Sequence, residues 1–220
     1  MIRLLIADDH DLVRTGLSRM LVDVSELHIV GEASSGEEAI QLCREHTPDV
    51  VLMDVRMPGI GGLEATRKIC QTFPGTQVIA VTVCDDNLYP TKLMEAGAAG
   101  YVTKGISIDE MVRAIKTVSK GQRYISPDIA QQLALRSLQP GSESPFDVLS
   151  GREMQIALMI VNCEKVQVIS DKLCLSPKTV NSYRYRIFEK LSITSDVELT
   201  HLAIRHGLVD SGRDGLVQAI

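Results

Sequence analysis

The sequence contains no long apolar run and no closely paired cysteines, and both absences narrow what the 220-residue chain can be. The apolar run at residues 2–7 is far too short for a signal peptide or a membrane span, and acidic residues follow it at once. We therefore expect a cytoplasmic protein with no membrane partner. The five cysteines are scattered without a Cys-x-x-Cys pair, which argues against a disulfide framework or a zinc site and predicts small core residues.

Other familiar signals are also missing. The segment MPGIGG at residues 57–62 has three glycines but lacks the Gly-Lys-Ser/Thr ending of a phosphate-binding loop, so it predicts a plain turn. No repeat of 20–50 residues is visible. His201 and His206 lie five residues apart, off a common helix face, which argues against a metal pair.

Charge is distributed unevenly along the chain. The net charge is −5, yet residues 1–125 carry 13 Lys and Arg against 17 Asp and Glu, whereas residues 149–209 carry 8 against 6. An acidic first part and a mildly basic second part indicate two modules with different partners.

The first part alternates short apolar runs with segments of helical periodicity, five times over. This alternation predicts a parallel sheet covered by helices on both faces, in the flavodoxin-like strand order 2-1-3-4-5. It stops near Gly121. A short helix is predicted at 128–138, and the Pro-, Gly- and Ser-rich stretch 139–147 is typical of a linker. Beyond it, four helix-period segments and a helix-turn-helix spacing at 166–191 predict a small all-α domain.

Polar residues stand where the predicted strands end. Asp8 and Asp9 follow strand one, and Asp54 follows the apolar run 50–53 of strand three. Because strands one and three are neighbours in this order, three carboxylates would crowd together and call for a cation such as Mg²⁺. Thr82 and Lys104 end strands four and five. Each residue alone is typical of a turn or a surface, but five at the ends of four strands predict a phosphoryl site with Asp54 as nucleophile.

The second helix of the helix-turn-helix segment has a polar face opposite its apolar one. A polar centre with basic neighbours suits the major groove of double-stranded DNA, although a solvated face has the same composition. The candidate DNA contacts are Lys178, Thr179, Asn181, Ser182, Arg184, Tyr185, Arg186 and Lys190.

Four segments of the first part resemble the receiver domain of two-component response regulators. They are ADDHDLVR, VVLMDVRMPGIGGLEATR, VIAVTV and AGAAGYVTKG. The resemblance implies a phosphoacceptor at Asp54, with Thr82 and Lys104 on the phosphoryl oxygens and Tyr101, with Thr82, as a switch. It also implies Mg²⁺ on Asp8, Asp9, Asp54 and the main-chain carbonyl of Arg56. Many receivers have Pro where this chain has Gly105.

Two segments of the second part resemble the LuxR/NarL-type DNA-binding domain: LSGREMQIALMI and SDKLCLSPKTVNSYRYRIFEKLSI. Many members of that family have Gly where this chain has Cys163. Taken whole, the chain resembles the GacA/UvrY group of global regulators. The resemblance implies homodimers formed through 196–206 or the receiver. The domains expected are a receiver at 1–124, a helix and linker at 125–148, a DNA-binding domain at 149–209 and a tail at 210–220.

The leading hypothesis is a transcription regulator switched by phosphorylation from a sensor histidine kinase or a phosphotransfer domain. Such a protein is not an enzyme, although it accepts and slowly loses a phosphoryl group. One alternative is a metal-dependent phosphohydrolase with an aspartyl nucleophile, but such enzymes often place an acid where this chain has Arg56. The other is a DNA-binding regulator independent of phosphorylation, against which the intact set of acids argues.

Overall fold

A six-stranded parallel sheet organises the first half of the chain in the computed structural model, which describes residues 1–82, 89–137 and 144–206. The strands are Ile2–Ala7 (β1), Leu27–Ala33 (β2), Val50–Asp54 (β3), Gln77–Thr82 (β4), Gly100–Thr103 (β5) and Tyr124–Ile125 (β6). Their order is β2-β1-β3-β4-β5-β6. The predicted order 2-1-3-4-5 is confirmed, with a short sixth strand added beside β5.

Six helices accompany the sheet: Asp11–Val22 (α1), Gly36–His46 (α2), Gly61–Thr72 (α3), Tyr89–Glu95 (α4), Ile108–Val118 (α5) and Pro127–Ser137 (α6). Alternate residues of each central strand point to opposite faces of the sheet, so Leu4 and Ile6 pack with α1 and α5, while Leu5 and Ala7 pack with α2 and α3. Both faces are buried, which is why β3 reads as an unbroken apolar run.

The second half of the described chain is helical. After a 3₁₀ helix at Pro145–Val148 come Gly151–Val161 (α7), Val166–Leu173 (α8), Pro177–Leu191 (α9) and Asp196–Arg205 (α10). Their apolar faces meet in a core that includes Phe146, Ile156 and Ile187. The chain divides into two compact units, Met1–Ser142 and Glu143–Ile220. The predicted tail at 210–220 lies outside the described residues.

A left-handed residue ends each helix of the α8–α9 pair. Cys174 after α8 and Ser192 after α9 have φ of 51° and 54°, and between the helices Ser176 accepts a hydrogen bond from the Thr179 amide with Pro177 in the first turn of α9. The predicted helix-turn-helix break is therefore built from a left-handed cap followed by an N-cap.

Two local predictions need correction. The cysteines were expected mainly in the core, but only Cys43 of the four described is buried, and Cys163 and Cys174 are exposed. Cys163 has φ of 58°, a conformation that favours the Gly found there in many similar domains.

The spacing Ser-x-x-Glu predicts a capping box at the start of α2, α5, α7 and α10, but of these four only the one at Ser150 and Glu153 closes in both directions. At α2 and α10 the carboxylate accepts instead from the residue before the N-cap, and at α5 the Glu110 carboxylate accepts from the Tyr124 hydroxyl. Within the described part of the chain, no helix is long and apolar enough to cross a membrane.

Candidate functional site

Two carboxylates and one ammonium group meet at the carboxyl end of the sheet. Lys104 Nζ lies 2.7 Å from Asp8 Oδ2 and 3.1 Å from Asp54 Oδ2. Asp8 and Asp54 are 2% and 3% exposed. Strands β1 and β3 are paired directly, which brings the two acids together, and Lys104 follows β5 two strands away. The structure thus brings together three of the side chains singled out from the sequence.

The charges in this pocket are poorly balanced. Burial raises the pKa of Asp54 to about 6; the charge of Lys104 opposes this rise, and the charge of Asp8 adds to it. Burial also lowers the pKa of Lys104, but hydrogen bonds and charges from Asp8 and Asp54 outweigh it, so the pKa of Lys104 is raised. One ammonium serves two buried carboxylates, so the pocket is short of positive charge and suits a cation.

Ligand atoms of Asp8, Asp9, His10 and Asp54 all lie within 4.8 Å of one another. The three carboxylates offer the hard oxygen ligands that Mg²⁺ prefers, so this donor set fits the ion implied by the sequence. His10 was not expected here: its Nδ1 lies 2.9 Å from Asp9 Oδ1, and its amide donates to Asp8 Oδ1 at 2.8 Å. His10 is the N-cap residue of α1 and follows the two acids directly in the chain.

The predicted residues Thr82 and Tyr101 lie on the neighbouring strands β4 and β5. Thr82 ends β4, is buried, and stands opposite Thr103 of β5. Tyr101 is a fully buried side chain of β5. The Lys104 amide donates to the Thr82 carbonyl at 2.6 Å, which fixes the loop containing Gly105 without the Pro common in receivers.

The loop between β3 and α3 fits closely around Asp54. The Arg56 amide donates a hydrogen bond to the Asp54 carboxylate, which lowers its pKa and opposes the effect of burial. Gly62, in the first turn of α3, lies so close to the Asp54 carbonyl that a Cβ there would collide with it. The predicted turn MPGIGG is therefore part of the pocket wall.

Helix α9 of the helical unit presents the predicted polar face. Lys178, Ser182 and Arg186 are exposed, Tyr185 is 72% exposed, and Asn181 is half-buried. The Arg186 guanidinium lies over the ring of Tyr183, 5.6 Å from its centroid. On the opposite side Val180, Ile187 and Leu191 are buried as the helical period predicts, Phe188 is buried beside them, and Tyr183, expected on the same face, is half-buried.

Two of the basic residues predicted to contact DNA form salt bridges inside the unit. The Arg184 guanidinium donates to both oxygens of Asp196, at 2.7 and 2.6 Å, and lies over the ring of Phe188. The Lys190 ammonium donates to Glu153 Oε2 at 2.6 Å. These contacts join α9 to α10 and α7 across 12 and 37 residues, a distance that helical periodicity alone does not reveal.

Residues 4–116 match the family described as the response regulator receiver domain, and residues 147–203 match the luxR family of bacterial regulatory proteins. The response regulator GacA of Pseudomonas protegens is 68% identical over 211 residues, which cover 96% of this chain and 99% of GacA. The chain belongs to the response regulators. It joins a receiver domain to a LuxR-type DNA-binding domain.

Two further matches agree with this membership. The response regulator UvrY of Escherichia coli (strain K12) is 58% identical, with coverage of 96% of this chain and 97% of UvrY. A two-component response regulator of the LuxR family from Aurantimonas sp. SI85-9A1 is 40% identical, with a TM-score of 0.60 over 63% of this chain and 99% of that one. These relatives of the receiver and LuxR-type domains favour a regulator over the phosphohydrolase alternative.

Proposed function

We propose that Asp54 accepts a phosphoryl group from a sensor histidine kinase or a phosphotransfer domain, and that this event controls DNA binding and transcription. The observation that carries the proposal is the position of Lys104 Nζ between two buried carboxylates, 2.7 Å from Asp8 and 3.1 Å from Asp54. A structural ion pair would balance one charge with one charge. Here a second buried acid remains, held in place by its strand and available for chemistry.

In the proposed reaction an oxygen of Asp54 attacks the phosphorus atom of the donor. A P–O bond forms, the bond to the leaving group breaks, and the leaving group keeps the electron pair, which gives an acyl phosphate on Asp54. The Asp54 carboxylate must be ionised to attack. Burial raises its pKa to about 6 in the chain without metal, and a cation bound beside it would lower that pKa and favour the ionised form.

Mg²⁺ would be held by Asp8, Asp9, Asp54 and the main-chain carbonyl of Arg56, where it would neutralise charge on the phosphoryl oxygens. Lys104 provides the second positive charge, and the Thr82 hydroxyl provides a hydrogen bond from the neighbouring strand. Tyr101 and Thr82 would form the switch: Thr82 is the last residue of β4, and Tyr101 is a buried side chain of the neighbouring strand β5.

We assign DNA recognition to the exposed face of α9. Asn181, Ser182 and Tyr185 would reach base edges or sugars, while Lys178 and Arg186 neutralise phosphates and Thr179 helps to fix the start of the helix. Arg184 and Lys190 are reassigned: their ion pairs with Asp196 and Glu153 make them positioning residues that orient α9, in place of the DNA contacts expected from the sequence.

The proposal also covers the domain boundaries, dimerisation and cellular location of the protein. We assign residues 1–124 to the receiver, 125–148 to a helix and linker, and 149–209 to the DNA-binding domain. Two copies would pair through 196–206 or the receiver, because Val197 and Ile204 of α10 are exposed apolar side chains. Kinase and DNA would meet the protein in the cytoplasm, and the acyl phosphate would be lost slowly by hydrolysis.

The test is labelling of the full chain with acetyl phosphate and Mg²⁺, followed by intact mass measurement. One added phosphoryl group is expected on the wild type, none on Asp54→Asn, and one on the control Asp23→Asn, which changes an exposed acid at the end of α1. DNA affinity of the labelled and unlabelled protein is then compared. Labelling that persists in Asp54→Asn would overturn the assignment of the phosphoacceptor.

A further inference from the structure

One side chain from outside the pocket holds the loop that lines it. Glu37, in the first turn of α2, accepts a hydrogen bond from the Ile60 amide at 2.9 Å, across 23 residues of sequence. Its carboxylate also lies against Gly59, where a Cβ would collide with both carboxylate oxygens. The β3–α3 loop is therefore anchored to α2 at the end remote from Asp54.

The backbone conformation of the loop suits this anchor. Gly59 has φ of 71°, in the left-handed region, and Ile60 follows with φ of −72° and ψ of −13°, in the right-handed helical region. Successive residues of opposite hand turn their amides toward one side and form a concave site for an anion. In this chain the Glu37 carboxylate occupies that site, so the anion belongs to the protein.

Close packing and a further hydrogen bond hold the β3–α3 loop on both sides of Arg56. Gly36 of α2 has no room for a Cβ, because Ala65 and the Ile60 side chain would each lie 2.9 Å from it. Two residues beyond Ile60, the Gly62 amide donates to the Val55 carbonyl at 3.1 Å. The loop is thus held at Val55 by α3 and at Ile60 by Glu37, and Arg56 lies between these two attachments.

We infer that Glu37 is a positioning residue: by fixing the loop at Gly59 and Ile60, it sets where Arg56 directs its amide and its carbonyl. The inference rests on the proposed function, in which that carbonyl binds Mg²⁺ and that amide binds Asp54. A hydrogen bond explains the effect, and the negative charge of Glu37 is not required for it. A Gln side chain at this position keeps an oxygen acceptor on a stem of the same length and loses the charge.

The test uses the full chain with three variants: Glu37→Ala, Glu37→Gln and the control Glu45→Ala. Glu45 is an exposed acid of the same helix, paired with Gln41. Amide hydrogen exchange is measured without metal, Mg²⁺ affinity by calorimetric titration, and labelling by acetyl phosphate at low and saturating Mg²⁺.

In Glu37→Ala we expect exchange of the Ile60 amide to accelerate about tenfold. Mg²⁺ affinity should fall about tenfold, the size of effect typical when a group supporting a metal ligand is removed. Labelling should slow at low Mg²⁺ and recover at saturation. Glu37→Gln should restore most of the affinity, and Glu45→Ala should match the wild type.

Two results would overturn the inference. In one, Glu37→Ala loses protection at Ile60 while keeping wild-type Mg²⁺ affinity, so the anchor does not act on the metal ligands. In the other, Glu37→Gln is as weak as Glu37→Ala, which would show a general effect of charge. Failure of the proposed function looks different, because the wild type itself would then bind no Mg²⁺ or take no label on Asp54.

Discussion

Asp54 in the receiver unit and Glu153 in the helical unit are carboxylates of nearly equal exposure, 3% and 4%, but Asp54 is surrounded by more protein, and their pKa values move in opposite directions. Burial raises the pKa of Asp54 to about 6, because one shared ammonium and one amide compensate it only in part. For Glu153, burial is outweighed by hydrogen bonds from Lys190 and the Ser150 amide, so its pKa is lowered.

The difference separates a structural acid from a reactive one. Glu153 accepts hydrogen bonds from the Ser150 amide at 2.7 Å and from the Lys190 ammonium at 2.6 Å. Its charge is therefore balanced by Lys190, and this ion pair joins α7 to α9. Asp54 shares Lys104 with Asp8 and retains unbalanced charge. Low exposure alone therefore does not mark the functional carboxylate; deep burial with incomplete compensation does.

The largest effect on stability is expected at the well-compensated acid. Glu153→Ala removes the acceptor for the Ser150 amide and the partner of Lys190, and we expect the helical unit to lose about 2–3 kcal/mol of its free energy of unfolding. Hydrogen exchange of the core amide of Ile187 in the full chain measures this loss. The exposed Glu189→Ala is the matched control, with little change expected. A loss below about 0.5 kcal/mol would show that the ion pair holds nothing in place.

A smaller effect of opposite sign is expected at Asp54. Its pKa is raised from 3.8 to about 6 in the folded chain, so the folded form favours the protonated acid. The stability gained from protonation is present below pH 3.8 and lost as the pH rises through 6. In buffer without Mg²⁺ at pH 8, Asp54→Asn should therefore stabilise the receiver unit by about 1–2 kcal/mol.

The pH dependence of this gain is its control. As the pH falls through 6, the wild-type acid becomes neutral, and the difference between wild type and Asp54→Asn in thermal unfolding should shrink. A variant that is less stable than the wild type at pH 8 would mean that Lys104 fully compensates Asp54.

The smallest effect concerns the charges of α9. Arg186 is exposed and Arg184 is paired with Asp196, so Arg186→Ala should weaken DNA binding about fivefold at all sequences and reduce its salt dependence. Arg184→Ala, two residues away on the same helix, should change the salt dependence less. Filter binding over a range of salt concentrations measures both. Equal salt slopes for the two variants would return Arg184 to the DNA surface.

Local patterns in the sequence predicted much of the fold and of the phosphoryl site. The strand order followed from alternating runs, and the grouping of Asp8, Asp54 and Lys104 followed from their places at strand ends. Strand β6 was missed because two residues, Tyr124 and Ile125, are too few to show a period. The strand exists because it pairs with β5, and no local pattern in the sequence marks that pairing.

What the sequence did not reveal are side-chain contacts between distant residues that do not stand at strand ends. Glu37 reaches Ile60 across 23 positions, and Lys190 reaches Glu153 across 37, with no local pattern to mark either pair. The capping boxes show a related limit, since the spacing of Ser107 and Glu110 was correct but Tyr124 took the carboxylate. Polar side chains pair with groups that are close in space, whereas sequence periodicity predicts only the helices and strands to which the side chains are attached.

The most direct test of the contrast between the two acids is a carboxyl titration by ¹³C NMR on the full chain without metal. Asp54 and Glu153 are followed in the same sample, so that each serves as the reference for the other. The account predicts a midpoint of about 6 for Asp54 and one below 4.5 for Glu153. A midpoint for Asp54 in the ordinary range near 4 would contradict it, because Asp54 would then carry no unbalanced charge for the phosphoryl site to use.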